Sequence, residues 1–469
     1  MLAPPRRWFL LIASPLLIYI FYRFLAPSST PVAATTSAWT HSEPGQGSSF
    51  GGTQQRLETD ASTESKASEG WNEERCGHIT RDMSDVLVIV KTSATEASEK
   101  LPVQLGTVLQ CVPHYAVFSD YEETIGGIRT YDVLRNVTDA TIEKQPEFQF
   151  YKRLQKAGRQ GLTDAADWAE DPTVPPGKAN TPAAKLDKWK YLPMIDGALE
   201  VMPEAKWYVF IEADTYMVWP NLANWLAHRD HTTSQYLGSP MQIGDMIYAH
   251  SGGGIILSQK TIHELHELRT RSVEKLEELT ANDWAGDCAL ARALESLHTP
   301  LTWSWPMMMI SRPWEVDHFS EGYGRQPWCY PVVSYHNLST RDIEEMWRFD
   351  RGWFRSGQNA LLLHADVYRE LIHDTSVATR ADWDNLSGSG IVFDPPTVPS
   401  LAACADACAQ NTECLQYTYT DSDQSCKQAS SAFAGVAKNG THSGWITPRV
   451  QRLLKSFQSS CHQVEYIVD

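Results

Sequence analysis

The sequence predicts an α/β domain with a mainly parallel sheet, followed by a small disulfide-rich α+β domain. Three observations carry this expectation. Short apolar runs of strand length alternate with helix-period segments over residues 84–375. The strand-like runs break into polar or acidic residues at their carboxyl ends, the edge at which open α/β sheets bind ligands. After Asp374 the texture changes: Gly, Ser and Pro rise, and four cysteines follow between Cys404 and Cys426.

The elements are expected in this order. Arg6-Arg7, the apolar run Trp8 to Tyr22 and Arg23 predict a signal-anchor helix over 8–25, with residues 1–7 cytosolic by the positive-inside rule. The rival is a cleaved signal peptide with small residues near Val32-Ala33-Ala34. Either route leads into the secretory pathway. Residues 26–75, rich in Ser, Thr, Pro, Gly and Ala, are expected to form a flexible stem. Order is expected from Cys76. Asp85–Val90 reads as a buried strand leading into Lys91-Thr92, Leu101–Gln110 as a helix, and His114–Phe118 as a second strand ending in Ser119-Asp120. Residues 157–184 are polar and Pro-rich and predict a long loop. Leu186, Trp189, Leu192, Ile195 and Leu199 recur at helical spacing, with Pro193 expected to kink that helix. Trp207–Ile211 is a third buried strand, and Pro220–Leu226 a short helix with Pro at its start. Ile255–Leu257 is a strand, Lys260–Leu279 an amphipathic helix, and Cys288–Leu297 is helical. The first domain is bounded at 76–377, the small one at 378–447, and 448–469 is a tail.

Composition narrows the function. At 469 residues the chain suits two or three domains. A net charge of −17, with no basic run to offset it, argues against nucleic acid as a partner. Nine cysteines suit an oxidising compartment, as do glycosylation sequons at Asn136, Asn337, Asn385 and Asn439.

The chemistry concentrates in few residues. The strand at Trp207 ends in Glu212-Ala213-Asp214. Burying a bare carboxylate costs several kcal/mol, roughly, unless a cation pairs with it. An acid-x-acid triplet is also a common helix cap or salt-bridged pair; the buried strand before it and Tyr216 and Trp219 behind it favour a hard cation such as Mn2+ or Mg2+. His336 ends another apolar run, Val332-Val-Ser-Tyr, either as a metal ligand suited to Mn2+ or as a hydrogen-bonded histidine. Asp287, after Gly286 and before an apolar helix, is either a helix cap or a general base facing a cleft. Ser251-Gly-Gly-Gly254 allows close backbone approach to a ligand and serves a tight turn equally well; it is not a P-loop.

Together Val-Ile-Val-Lys91-Thr92, Phe-Ser119-Asp120, Trp-Tyr-Val-Phe-Ile-Glu-Ala-Asp214, His-Ser-Gly-Gly-Gly254, Gly-Asp287-Cys and Ser-Tyr-His336 occur in an order that resembles glycosyltransferase family 31, in particular fungal relatives of core 1 β1,3-galactosyltransferases and Fringe. The resemblance implies a GT-A fold, a UDP-sugar donor and inversion in one displacement. It implies that Asp214, Glu212 and His336 hold the metal, and that Asp287 deprotonates the acceptor hydroxyl. Lys91, Thr92, Asp120 and the Glu212-Ala213-Asp214 turn fall where the family contacts the nucleotide. Glu212 departs from the Asp that many relatives carry. The acceptor would be a glycan or glycoprotein and the linkage β1,3, in the Golgi lumen, with the chain a single-pass type II membrane protein. UDP-galactose is the first expected donor and UDP-N-acetylglucosamine the second. The rival from another class is a non-catalytic lectin-like or chaperone protein.

The tail resembles a PAN/Apple module through Cys404-x3-Cys408-x5-Cys414-x11-Cys426. The expected pairing, one of three for four cysteines, is 404–426 with 408–414. Binding of a metal by these four is the rival, though the spacing lacks CxxC knuckles. Cys76 with Cys111 and Cys288 with Cys329 are further expected pairs. Cys461 is left over and would be free to link two chains as a homodimer.

Overall fold

The computed structural model describes residues 76, 79, 81–162, 181–355, 360–372, 378–389, 392–393, 398–457, 461 and 464–467. The expected anchor and stem lie outside them. Among the described residues no helix is long and apolar enough to cross a membrane.

The central element is a mixed sheet. Its strands are β1 (Val86–Lys91), β2 (Tyr115–Ser119), β3 (Glu123–Ile125), β4 (Ile128–Asp132), β5 (Trp207–Glu212), β7 (Tyr236–Gly238), β10 (Ile255–Ser258) and β11 (Leu301–Trp303). Beside it lie β6 (Tyr216–Met217), paired with β12 (Ser334–Tyr335), and the hairpin of β8 (Pro240–Ile243) and β9 (Met246–Ala249). The sheet order is β11-β7-β10-β5-β1-β2-β4-β3. β4, β2, β1 and β5 are parallel neighbours. β10 runs against both β5 and β7, and β11 is parallel to β7. Six strands therefore point their carboxyl ends at one edge: β4, β2, β1, β5, β7 and β11. All of β1 and the first five residues of β5 are buried, because the sheet is covered on both faces. That is why these strands read as continuous apolar runs rather than as alternation.

Helices α1 (Ala97–Gly106), α2 (Tyr191–Val201), α3 (Gln259–Asn282) and α4 (Gly286–Ser296) pack against the sheet. Several expectations are corrected here. α1 starts four residues before the predicted helix. The predicted loop over 157–184 is structured at both ends, by a 3-10 turn at Gly158–Leu162 and a helix at Pro182–Asp187. The single helix expected from Leu186 to Leu199 is two, broken before α2. The break follows from Pro193, which occupies the third position of α2, where a missing N–H has no intrahelical partner to lose. A helix continued from Leu186 would drive that ring into the carbonyl of Trp189. α3 is interrupted at Ser272, whose φ of −145° is not helical.

The small domain is a five-stranded antiparallel sheet, ordered β13 (Thr379–Arg380), β17 (Thr441–Trp445), β15 (Gln416–Thr420), β16 (Ser425–Ala429), β14 (Val392–Phe393). α5 (Leu401–Gln410) lies against it through Cys404 and Cys408, one turn apart and both fully buried. The disulfides are Cys404–Cys426 and Cys408–Cys414, the nested pairing.

The other cysteines bring a correction. Cys329 pairs with Cys461, and Cys288 is a free, buried thiol. Cys288 sits in the first turn of α4 against Tyr248, within the core. Cys329 lies in a turn that faces the returning C-terminal segment. That segment is anchored by Trp328 donating to the Phe457 carbonyl at 3.0 Å and Trp225 donating to the Ile467 carbonyl at 2.8 Å. Cys461 is thus used within the chain and does not link two chains. Cys76 and Cys111 are both disulfide-bonded.

The sequons divide. Asn337 and Asn439 are exposed, and Asn136 is half-buried. Asn385 is a correction: it is fully buried, and its Nδ2 donates to the carbonyls of Tyr417 and Gly444 at 3.2 and 3.1 Å. A glycan on that nitrogen is incompatible with this packing.

Candidate active site at the carboxyl edge of the sheet

β5 delivers Glu212 to the edge, and the chain then turns through Ala213 and Asp214. Gln104 of α1 pins this turn, donating to the carbonyls of Ala213 and Thr215 at 2.9 and 3.0 Å. β6 follows at once and pairs antiparallel with β12, with Tyr216 opposite Tyr335. His336, the next residue after β12, is thereby placed beside Asp214. The Leu338 N–H closes the arrangement on the Asp214 carbonyl at 3.2 Å.

One ligand atom from each of Glu212, Asp214 and His336 lies within 4.8 Å of the others. His336 Nε2 is 3.4 Å from Asp214 Oδ1 and 3.6 Å from Glu212 Oε2. Asp214 Oδ1 and His336 Nε2 are buried and make no hydrogen bond. Two buried lone-pair atoms facing each other are stabilised by a shared cation. Burial pushes His336 below its ordinary histidine range, partly offset by Asp214 and Glu212. The donor set fits a divalent ion such as Mn2+.

Lysines hold the remaining carboxylate oxygens. Lys91 Nζ sits 3.1 Å from Glu212 Oε1 and also binds Asp187. Lys100 Nζ sits 3.0 Å from Asp214 Oδ2 and 2.7 Å from Glu96. Burial favours protonation of Glu212, but Lys91, His336 and the Ser251 hydroxyl outweigh it and hold the carboxyl below its usual range. Burial also opposes the Lys91 charge, and Asp187 and Glu212 overcome it. Tyr191 donates to Glu212 Oε1 at 3.1 Å.

Gly252 is required by this geometry. A Cβ there would lie 2.2–2.4 Å from the His336 ring. The three glycines therefore serve packing against the histidine as well as a turn. Ser251 connects the acids to Asp287: its hydroxyl bonds Glu212, and its N–H donates to Asp287 Oδ2 at 3.1 Å. The N-cap position of α4 is Ala285; Asp287, in the first turn, accepts the Cys288 N–H on Oδ1 at 2.9 Å and the Ser251 N–H on Oδ2. Gly286 lets α4 approach, since a Cβ would meet the Tyr191 ring at 2.6 Å. Glu212, Asp214, His336 and Asp287 thus belong to one connected cluster.

The Fringe-like family model matches residues 81–309, and a PAN domain model matches residues 385–439. Residues 81–309 belong to the Fringe-like family. Curated proteins give no match to this chain. The Fringe-like glycosyltransferase domain so delimited contains Lys91, Asp214 and Asp287 but ends before His336. The histidine joins the Fringe-like site only through the pairing of β12 with β6.

Two of the expected nucleotide contacts are engaged inside the Fringe-like domain. Asp120 is fully buried; its Oδ1 accepts from the Ala94 N–H at 2.8 Å, and Lys190 Nζ lies 3.3 Å from its Oδ2. Thr92 is buried, and its carbonyl accepts from Lys190 Nζ at 2.7 Å. Both fix the loop after β1. Trp284 is partly buried and packs on the core. Sequence inspection missed Lys100, Asp187, Lys190 and Tyr191. The one signal for three of them was Pro193, which forces α2 to begin beside Asp187, Lys190 and Tyr191.

Proposed function

We propose that this chain is an inverting, metal-dependent glycosyltransferase that moves a hexose, galactose first, from a UDP-sugar to a glycan or glycoprotein acceptor in β1,3 linkage. The observation that carries this is the pair of buried, unbonded atoms, Asp214 Oδ1 and His336 Nε2, beside Glu212. Glu212, Asp214 and His336 would hold the ion, with Mn2+ favoured by the imidazole. When bound, the ion supplies charge neutralisation at the departing diphosphate. The protein's own residues do the rest. Lys91 and Lys100 turn one oxygen of each acid away, leaving the other aimed at His336. Asp287 Oδ2, oriented by the Ser251 N–H, takes the proton of the acceptor hydroxyl as that oxygen attacks the anomeric carbon. The N-terminal signal anchor would hold the enzyme in the Golgi membrane as a type II protein.

The Fringe-like match favours UDP-N-acetylglucosamine as the second donor to test. Calorimetry of UDP-galactose and UDP-N-acetylglucosamine, with Mn2+ and with EDTA, separates the two. Binding of one donor that needs Mn2+ and vanishes in Asp214→Ala supports the proposal. Metal-independent binding, or full turnover in Asp214→Ala, sinks it. Asp287→Asn should keep UDP binding and lose turnover by a factor of at least about 100.

A further inference from the structure

Pairing of β12 with β6 brings His336 to the acids, and a second set of bonds fixes where it stands. The backbone departs at Ser311 and returns at His336, whose N–H donates to the Ser311 carbonyl at 3.3 Å. The Met309 N–H donates to the Ser334 carbonyl at 3.0 Å and closes the same base. Residues 312–335 thus form an excursion whose returning end carries the histidine. They lie beyond residue 309, where the Fringe-like match ends.

The first turn of the excursion is stiff. Pro313 fixes its own φ. The Arg312 guanidinium grips Glu315 with Nε 2.9 Å from Oε2 and NH2 2.5 Å from Oε1. His318 Nε2 lies 3.1 Å from the Pro313 carbonyl. Trp314, three residues from Ser311, therefore cannot shift without moving Ser311.

The small domain and the helix that follows it hold this excursion at two points. Near its start, the Gly435 N–H donates to the Trp314 carbonyl at 3.1 Å. Nearer its end, Phe457 of the helix Thr447–Phe457 sets its ring 5.5 Å from Phe319 and 5.6 Å from Trp328, between centroids.

The Gly435 contact is built from inside the small domain. Residues 431–435 are all buried. Two indoles pin them: Trp383 Nε1 donates to the Ala434 carbonyl at 2.7 Å, and Trp445 Nε1 to the Phe433 carbonyl at 3.1 Å. Gln416 Oε1 accepts the Phe433 N–H at 2.8 Å. Gly435 has a φ of 84°, and a Cβ there would lie 2.2 Å from the Asp384 carbonyl oxygen and 2.5 Å from the Asn385 Cα. Both neighbours are backbone atoms and cannot swing aside. A loop held this firmly delivers one N–H, that of Gly435, to the catalytic domain.

We propose that the small domain positions the metal-binding histidine: Gly435, acting through Trp314 and Ser311, sets where His336 stands, and the Mn2+ affinity of the site depends on it. This rests on the reading of Glu212, Asp214 and His336 as the metal site. Gly435 is a positioning residue, since it touches neither acid nor histidine. A ligand must be held to within about 0.5 Å of its productive place. Close-packed interiors pass a displacement on instead of absorbing it. Partners that orient a ligating histidine change metal affinity by about 10–100-fold when lost.

The test uses the full chain with Mn2+ alone. Electron paramagnetic resonance counts the ion that remains free, and nitrogen modulation of the spin echo reports a histidine ligand. Gly435→Ala should weaken Mn2+ binding at least about fivefold and reduce the modulation. Gly440→Ala is the control: it strains a φ of 68° in the same domain, and its Cβ would meet nothing within 4 Å. It should lower the melting point and keep the parent's Mn2+ affinity and modulation. Trp383→Phe removes the N–H held on Ala434 and should weaken Mn2+ binding at least about threefold; it carries the test if Gly435→Ala does not fold. Parental affinity in both Gly435→Ala and Trp383→Phe overturns the proposal. So does an equal loss in Gly440→Ala, which would mark a general loosening of the fold. A parent that binds Mn2+ while these variants match it removes the positioning role alone. A parent that binds no Mn2+, or binds it without nitrogen modulation, removes the His336 metal reading and the positioning role with it.

Discussion

The His336 ring occupies the space a side chain at Gly252 would fill. A methyl there meets three ring atoms at 2.2–2.4 Å, too close for any adjustment of Gly252 alone. Gly252→Ala should therefore displace the histidine. The expected outcome is at least tenfold weaker Mn2+ binding by calorimetry with an unchanged far-UV spectrum. An unaltered Mn2+ affinity would remove His336 from the ligand set. The acid pair was visible in the sequence because a buried strand ran straight into it. The role of Gly252 was not, because its neighbour lies 84 positions away along the chain.

The turn between the helix at Pro182–Asp187 and α2 brings a buried cation to the acids behind the site. Lys190 is fully buried there, 2.8 Å from Asp187 and 3.3 Å from Asp120. Burial works against its charge, and Asp120 and Asp187 overcome this to hold it above the ordinary lysine range. Lys190→Met leaves the fully buried Asp120 without its lysine, while Asp187 keeps Lys91. Loss of stability on the order of 3–5 kcal/mol is expected by urea denaturation. A loss under 1 kcal/mol would show that water reaches these acids. The helical period was legible in Leu186, Trp189 and Leu192, but the break was not taken from it. Pro193 suits a helix start as well as a kink, because the N–H groups of the first turn have no intrahelical partner. The same confusion of period with continuity hid the interruption of α3 at Ser272.

Across the whole molecule, the C-terminal segment that follows the PAN domain is fastened to the turn at Pro327–Cys329 by Cys329–Cys461. The bridge spans 132 positions. Closing a loop of that length in the unfolded chain contributes about 4–5 kcal/mol on the chain-entropy account. Cys461→Ser should lower the thermal midpoint and leave UDP binding intact, because neither cysteine belongs to the acid–histidine cluster. Non-reducing electrophoresis of the parent should show a single-chain mass; a covalent dimer would contradict the pairing.

Acid should also loosen this region. His318 and His364 lie 5.6 Å apart between ring centroids, both fully buried. Burial lowers His318 to about 4, against a smaller opposing pull from the Pro313 carbonyl and Asp317. Burial, and then His318 itself, lowers His364 to about 3. Unfolded histidine titrates near ~6.5, so below that pH the unfolded chain binds more protons than the native one. Stability is therefore full above about pH 7 and is lost as pH falls from ~6.5 toward 4, by up to about 2.7 kcal/mol per unit if both titrate. Urea midpoints at pH 7, 6 and 5 check the slope, and His318→Gln should roughly halve it.

The sequence alone determined the parts whose cause is local. Apolar runs of five or six residues made β1 and β5 buried strands, and each ended in the residues that now line the edge. The i, i+4 spacing of Cys404 and Cys408 put both sulfurs on one helix face, which leaves the nested pairing open to them. What the tertiary structure decided was every relation between segments distant along the chain. It joined β12 to β6 and so set His336 beside Asp214, chose Cys461 over Cys288 for Cys329, and buried Asn385 under two carbonyls. Local pattern reports which face of an element is apolar, and only packing decides which other element covers it.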